Sequence, residues 1–362
     1  MGCVDFTAAI SIFVIKMGSR LINLVIESFE KPWDWAALSA NPAITDRDVL
    51  DYPDFPWNWN ALSGNPSIHP DFILRNRTKP WNWAKVSENP RLCYEDVATF
   101  SDLQWNWAVL TMNPGIRLED VLGHPERNWS LPFLSRNPNL RIQDVLAHPE
   151  VQWDWFSINY NKNAYTIEDV RANPDLPWEW DYLSCHLPIG PEDLENPLFV
   201  DKWHYGLLGG NPNVTMEMIE AHPDKGWNWS RISENPNLTI EYVLSHSEKP
   251  WEWSNLMHFG KWNNIQQLRR SDIINPKSWD WTKLSYNPSL TLTEVLENMD
   301  VDWSWSTLSQ RLNVTLQDLM NPTIPWDWGY LSANPSLTLE TVGRLLFIPW
   351  SWDALSRNTF RY

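Results

Sequence analysis

The sequence predicts an all-α solenoid of about fourteen repeats of about 24 residues, each built from two short helices. Three observations carry this. A Trp recurs at Trp33, Trp57, Trp81, Trp105, Trp129 and Trp153 with a spacing of 24 and no drift, then at Trp178, Trp203, Trp227, Trp251, Trp279, Trp303, Trp326 and Trp350. With the second Trp that follows two residues later in most copies, this accounts for every Trp in the chain except Trp262. Most copies also have Asn-Pro in the middle and several a second Pro near the end, such as Pro53, Pro125, Pro149 and Pro223, which keeps the helices short.

The first copy shows the local logic. Trp33 and Trp35 flank Asp34, and equivalent positions hold Asn58, Asn82, Asn106, Ser130, Asp154, Asn228, Asp280, Ser304, Asp327 and Ser351, with Glu179, His204 and Glu252 as exceptions. These short polar residues are N-cap types, whose side chains take a free amide of the first turn. Trp33 then stands before the cap and Leu38 at the fourth helical position, the spacing of a hydrophobic staple. Asn41-Pro42 ends this helix after one or two turns, short enough for 3₁₀ geometry. A second helix begins at Thr45, where Asp48 sits three residues on as in a capping box; Thr291 with Glu294 and Thr315 with Asp318 repeat the pattern.

At 362 residues the chain could hold several ordinary domains, but a continuous array makes one elongated body the expectation. Residues 1–31 contain no Trp and read as an N-terminal helical cap. Within them, Leu24-Val25-Ile26 lies one period before Asp48-Val49-Leu50, as if it were the second half of a copy. Residues 32–362 form the Trp-rich array, with an irregular repeat at 251–278 and a half-repeat from Trp350 to Asn358 as the C-terminal cap.

Composition excludes several functions. A net charge of -17 argues against a phosphate-tracking surface, so nucleic acid is not an expected partner. The longest apolar run, Ala8 to Ile15, is too short to cross a bilayer, and Phe6 stands where an N-myristoylation motif needs Ser or Thr. Cys3, Cys93 and Cys185 fit no metal spacing and point to a reducing compartment.

The run Leu-Ser-x-Asn-Pro-x-(Ile/Leu)-Thr-x-x-Asp-Val-Leu, as in Leu38 to Leu50, resembles the leucine-rich variant repeat. That resemblance implies a right-handed superhelix alternating an α-helix with a 3₁₀ helix. The Trp-polar-Trp segment is not part of the family's pattern, and the cluster-binding cysteines of one member are absent here. The Trp-rich wording also resembles repeat proteins of giant DNA viruses of protists, which implies a setting in host cytoplasm or a virion but no activity.

Most candidate sites have an architectural explanation. The Trp ladder could stack on glycans, but its fixed spacing around a cap suits packing. The repeated Asn of Asn-Pro suits a ladder bonded to the backbone of the next copy. Asp48, Asp96, Asp120, Asp144, Asp169 and Asp318 suit first-turn carboxylates at the positive helix end rather than a cation stripe. His124, His148, His222 and His246 share one repeat position near the second helix's end. No catalytic set, phosphate loop or cofactor motif can be placed.

The departures from the repeat are more informative. Asn161-Lys162-Asn163 lacks the Pro, while Cys185-His186-Leu187-Pro188 and Leu312-Asn313 replace Asn-Pro. The largest break, from Met257 to Ser278, supplies the candidate partner-binding residues His258, Phe259, Lys261, Trp262, Arg269 and Arg270. The structural repeat set is represented by Trp33, Trp35, Leu38, Asn41 and Pro42. The expected function is a non-enzymatic protein-interaction scaffold. A self-assembling virion or fibre protein and a Trp-based glycan binder are the alternatives.

Overall fold

In the computed structural model, which describes residues 19–259 and 280–361, the chain is an all-helical repeat solenoid: twenty-seven short helices and no strand among the described residues. The helix that opens each copy starts where the sequence places its cap. The Asp34 carboxylate accepts the amides of Ala36 and Ala37 at 2.9 and 3.1 Å, and Asn58 accepts that of Ala61 at 3.0 Å. Even His204, an outlier in the pattern, caps through Nδ1, whereas Glu179 makes no cap bond. These helices are α rather than 3₁₀. In Trp59–Leu62, the amides of Leu62 and Ser63 reach back four residues to Asn58 and Trp59 at 2.9 and 3.0 Å. Asn41 then turns extended, as a residue before Pro must, and ends the helix Trp35–Ala40.

The second helix carries the expected capping box. In Asp46–Asp51, Asp48 accepts both the backbone amide and the hydroxyl of Thr45 at 2.9 Å. Its last turn delivers a backbone carbonyl to the next leading Trp, whose indole N-H would otherwise be buried without a partner. Trp57 Nε1 donates to Tyr52 O at 2.8 Å, Trp129 to His124 O at 3.0 Å and Trp178 to Asn173 O at 2.8 Å, each five residues back. This places the histidine series at the helix C-cap, where the backbone carbonyl takes the indole and, at His222 and His246, ring Nδ1 also lies 2.9 Å from the carbonyl four residues back. Leading Trp side chains are accordingly buried, 4–7 % exposed in most copies.

Three contacts join one copy to the next. The second Trp meets the following leading Trp edge to face, as in Trp59–Trp81 at 5.0 Å and 87°, and Trp229–Trp251 at 5.0 Å and 89°. Tyr205 keeps the geometry against Trp227 at 5.3 Å. The Ser after the helical Leu is the second: Ser39 Oγ donates to Trp35 O at 2.7 Å and accepts the amide of Asn58 at 2.9 Å. The third is the asparagine ladder, which runs to the preceding copy rather than the next. Asn65 Nδ2 donates to Ser39 O, Asn41 O and Ile44 O at 3.0, 2.9 and 3.1 Å, while its Oδ1 accepts the Ser67 amide. Leu38, Leu62 and Leu110, fully buried, fill the space behind these bonds.

Contacts divide the chain into two compact units. One comprises Met1–Asn106, Thr315–Gln317 and Trp328–Tyr362; the other comprises Trp107–Val314 and Asp318–Asp327. The second has a continuous apolar core from Leu140 to Leu312. In the first, the described parts of the two chain ends pack on each other. Asn41 Nδ2 donates to Ser356 O and Asn358 O, both at 2.9 Å, and the Asp34 amide donates to Ser356 Oγ at 3.1 Å. Trp352 meets Trp33 at 4.8 Å and 70°, and Arg357 pairs with Asp34 at 3.3 Å. These are the contacts that join consecutive copies, made here between residues more than 300 apart in sequence. The helix Arg20–Glu27 packs against Leu339–Arg344, and the Ser19 amide donates to Asp48 Oδ1 at 2.7 Å. The physical reason is complementarity: the C-terminal half-copy has an opening helix without a second one, and residues 20–27 supply a second helix.

Candidate binding site at the interrupted copies

Each regular copy uses its Asn amide to tie down the carbonyls of the copy before it. Asn161 still does so without the following Pro, donating to Asn137 O at 2.9 Å. Eight residues after the leading Trp, where Asn41 stands, two copies hold His186 and Arg311 in place of Asn, followed by buried Leu187 and Leu312. Both leucines stand one residue further from their leading Trp than Asn41 does from Trp33. Freed from the Asn-Pro stop, their opening helices lengthen to seven residues, Trp180–His186 and Trp305–Arg311, and Trp253–Phe259 matches them. His186, Phe259 and Arg311 are thus the last residues of the three longest opening helices.

Of the six predicted partner-binding residues, His258 and Phe259 fall within the described residues; Lys261, Trp262, Arg269 and Arg270 lie outside them. His258 and Phe259 rings are 4.3 Å apart, and His258 also stacks on Tyr286 of the next copy at 5.8 Å and 24°. Phe259 and Tyr286 are 44 % and 52 % exposed. A second aromatic cluster follows the other two interruptions: Phe156 meets Tyr160 at 4.7 Å, Tyr160 meets Tyr182 at 4.3 Å, and Tyr182 stacks on His186 at 4.2 Å. Phe156, Tyr160, Phe259 and Tyr286 are thus exposed in or beside copies that depart from the repeat, while exposed Phe29, Tyr330 and Phe347 lie elsewhere.

Tyr286 also lines a cleft of about 630 Å3 in the same compact unit. One wall is the turn and second helix from Pro288 to Leu296; the other is Arg311, Leu312, Asn313 and Asp318. Burial alone holds the Arg311 guanidinium below the usual arginine range, though it stays charged at neutral pH. Its Nη2 is buried with no hydrogen-bond partner among the described residues. Sequence reasoning marked Leu312-Asn313 as a break but missed Arg311. The available signal was that Arg311 itself stands eight residues after Trp303, the position at which regular copies bury an Asn.

Elsewhere, repeated residues are used within the fold. No described Trp is exposed. Cys93 takes the Thr place in its capping box, with Sγ 3.3 Å from the Asp96 carboxylate; burial first, then neighbouring acidic groups, push its thiol up to about 11, so it is protonated and unreactive at neutral pH. Among the described residues, no group of three or more His, Cys, Asp or Glu could hold a metal ion, and no helix is long and apolar enough to cross a membrane. Compared with known proteins, the chain matches no family model, no curated protein and no solved structure. The class of protein therefore rests on the fold itself, an all-α repeat solenoid with locally interrupted copies.

Proposed function

We propose that this protein is a non-enzymatic protein-interaction scaffold whose partner-binding surface lies at the copies that break the Asn-Pro ladder. The observation that carries the reading is a division of labour. In regular copies the Trp, Ser, Asn and cap side chains are consumed by bonds within and between copies. In or beside the irregular copies Phe259, Tyr286, Phe156 and Tyr160 face solvent, the residue types enriched at the centres of protein interfaces. The likeness of the Trp-rich repeats to giant-virus proteins supports a place in host cytoplasm or a virion.

Two observations favour the scaffold over its alternatives. The contacts between residues 33–41 and 352–358 use, within one chain, surfaces that end-to-end polymerisation needs. Glycan binding needs an open indole face, and the described Trp rings are buried or half-buried.

The test is affinity purification from expressing cells with the wild-type chain and with Phe259→Ala/Tyr286→Ala, followed by reconstitution with the purified partner. A partner that binds the wild type directly and loses affinity by roughly tenfold or more for the variant supports the proposal. Recovery of no partner, or equal affinity for a variant with unchanged circular dichroism, overturns it.

A further inference from the structure

We infer that the face formed by Trp33, Asp34 and Asn41 is an exchangeable interface, whose other occupant is a second copy of this chain supplying its residues 352–358 in place of the chain's own. The inference goes beyond the scaffold reading and does not depend on it. Every kind of contact at this junction recurs between neighbouring copies. Asn41 donates to Ser356 O and Asn358 O as Asn65 does to Ser39 O and Asn41 O. The Asp34 amide meets Ser356 Oγ as the Asn58 amide meets Ser39 Oγ. Trp33 meets Trp352 as Trp57 meets Trp35, with ring centroids 4.8 and 5.6 Å apart.

What differs is the tether. Asn65 and the carbonyls it binds lie 21–26 residues apart, so the chain itself keeps them together, whereas Asn41 and its carbonyls lie 315 and 317 residues apart. Both faces are also held from behind. Residues 33–41 keep the following copy through the Ser39 and Asn65 bonds. Residues 352–358 keep the preceding one: Asn358 donates to Ser332 O and Asn334 O, the Ser351 amide donates to Ser332 Oγ, and Trp328 meets Trp350 edge to face at 5.6 Å. Opening the junction therefore leaves two formed, complementary faces on each chain. The packing of Arg20–Glu27 on Leu339–Arg344 crosses the same junction and exchanges with it. At its rim the Asp34–Arg357 pair, and Lys31 at 5.9 Å from the Trp352 ring, match charge to partner. Head-to-tail faces of this kind are satisfied by a chain's own ends or by those of another copy, and concentration decides between them. Closure keeps the dilute chain a monomer and its self-assembly latent.

The test refolds full-length Arg357→Lys from urea, dilute and concentrated, as an equal mixture of isotopically light and heavy chains. A zero-length carbodiimide then joins the new amine to Asp34; light scattering gives the mass and mass spectrometry the cross-linked peptides. Dilute refolding is expected to give monomers whose 34–357 cross-links join chains of one label only. Concentrated refolding is expected to give dimers and larger multiples in which roughly half of those cross-links are light–heavy. In a second arm, wild type and Asn41→Ala/Trp352→Ala are refolded concentrated without cross-linking, and only the wild type is expected to form multiples. Monomers alone at both concentrations, multiples whose 34–357 cross-links are all of one label, or multiples formed equally by Asn41→Ala/Trp352→Ala overturn the inference. None of these results touches the scaffold reading, which is judged by partner recovery.

Discussion

Replacing Asn65 with Ala tests whether the ladder, rather than apolar packing alone, joins the copies. Asn65 is 1 % exposed, and its amide lies 2.9–3.1 Å from three carbonyls of the preceding copy. An amide has only two protons, so these contacts amount to about two donated bonds, and Oδ1 accepts a third from Ser67 at 2.9 Å. At about 1 kcal/mol net per bond, with under-satisfied carbonyls and a small void added, Asn65→Ala costs about 3–4 kcal/mol. Asn41 O keeps the Ile44 amide at 2.9 Å, which prevents a larger loss. Asn65→Asp should be worse than Ala, since it keeps the acceptor but faces the carbonyls with negative charge. Exposed Asn313→Ala should change stability by less than about 0.5 kcal/mol. The assay is urea unfolding followed by circular dichroism at 222 nm. A cost below about 1 kcal/mol for Asn65→Ala, or equal costs for Asn65 and Asn313, would refute the role of the ladder.

The two Trp positions should differ in tolerance. Trp57→Phe removes the bond to Tyr52 O and part of the edge contact with Trp35, costing about 2 kcal/mol, whereas Trp229→Tyr, imitating Tyr205, costs less than about 1 kcal/mol by the same assay. Removing residues 352–362 uncovers Trp33 and Asn41; the three hydrogen bonds and one ring pair to residues 33–41, added to the Asn358 bonds to Ser332 and Asn334 and the burial of Leu355, lower stability by more than about 4 kcal/mol, read as a shift in the urea midpoint. The same junction should weaken in acid. The Asp34 carboxyl is held below its ordinary value of 3.8, first by the Ala37 amide, then by Asp353, the Ala36 amide and Arg357. A carboxyl depressed in the folded state contributes stability that is complete above its ordinary value and lost as pH falls through its folded value. Proteolysis near residues 350–358 should therefore accelerate on going from pH 5 to about pH 3, and Asp34→Asn should flatten that step; a rate independent of pH in both chains contradicts the assignment.

What could be read from the sequence was what is decided within a few residues. The cap at Asp34, the stop at Asn41-Pro42 and the box from Thr45 to Asp48 are local, and all three appear where their residue types require. The asparagine ladder could also be read as a device between copies. Its direction could not, because an amide of this spacing reaches a neighbour on either side. The α geometry of the opening helices was likewise undetermined, since one or two turns satisfy both helix types. The meeting of the ends depends on residues more than 300 apart, and its only local trace was that each terminus holds half a copy. At the candidate site, Phe259 and His258 were visible as a broken repeat. Arg311 was missed although it stands where regular copies bury an Asn, eight residues after the leading Trp, because Arg is an ordinary residue for an exposed helix end.

The most direct test of the claim that binding resides in the interruptions is to repair one. Arg311→Asn with Leu312→Pro puts Asn-Pro eight residues after Trp303 and four before Thr315, as Asn41-Pro42 stands between Trp33 and Thr45, and so restores an amide to the ladder and removes a guanidinium nitrogen with no hydrogen-bond partner among the described residues. The repaired chain should be more stable by about 1–3 kcal/mol in urea. In the same preparation it should lose affinity for the partner recovered with the wild-type chain by roughly tenfold or more. A repaired chain that is well folded and binds that partner as the wild type does would contradict the account.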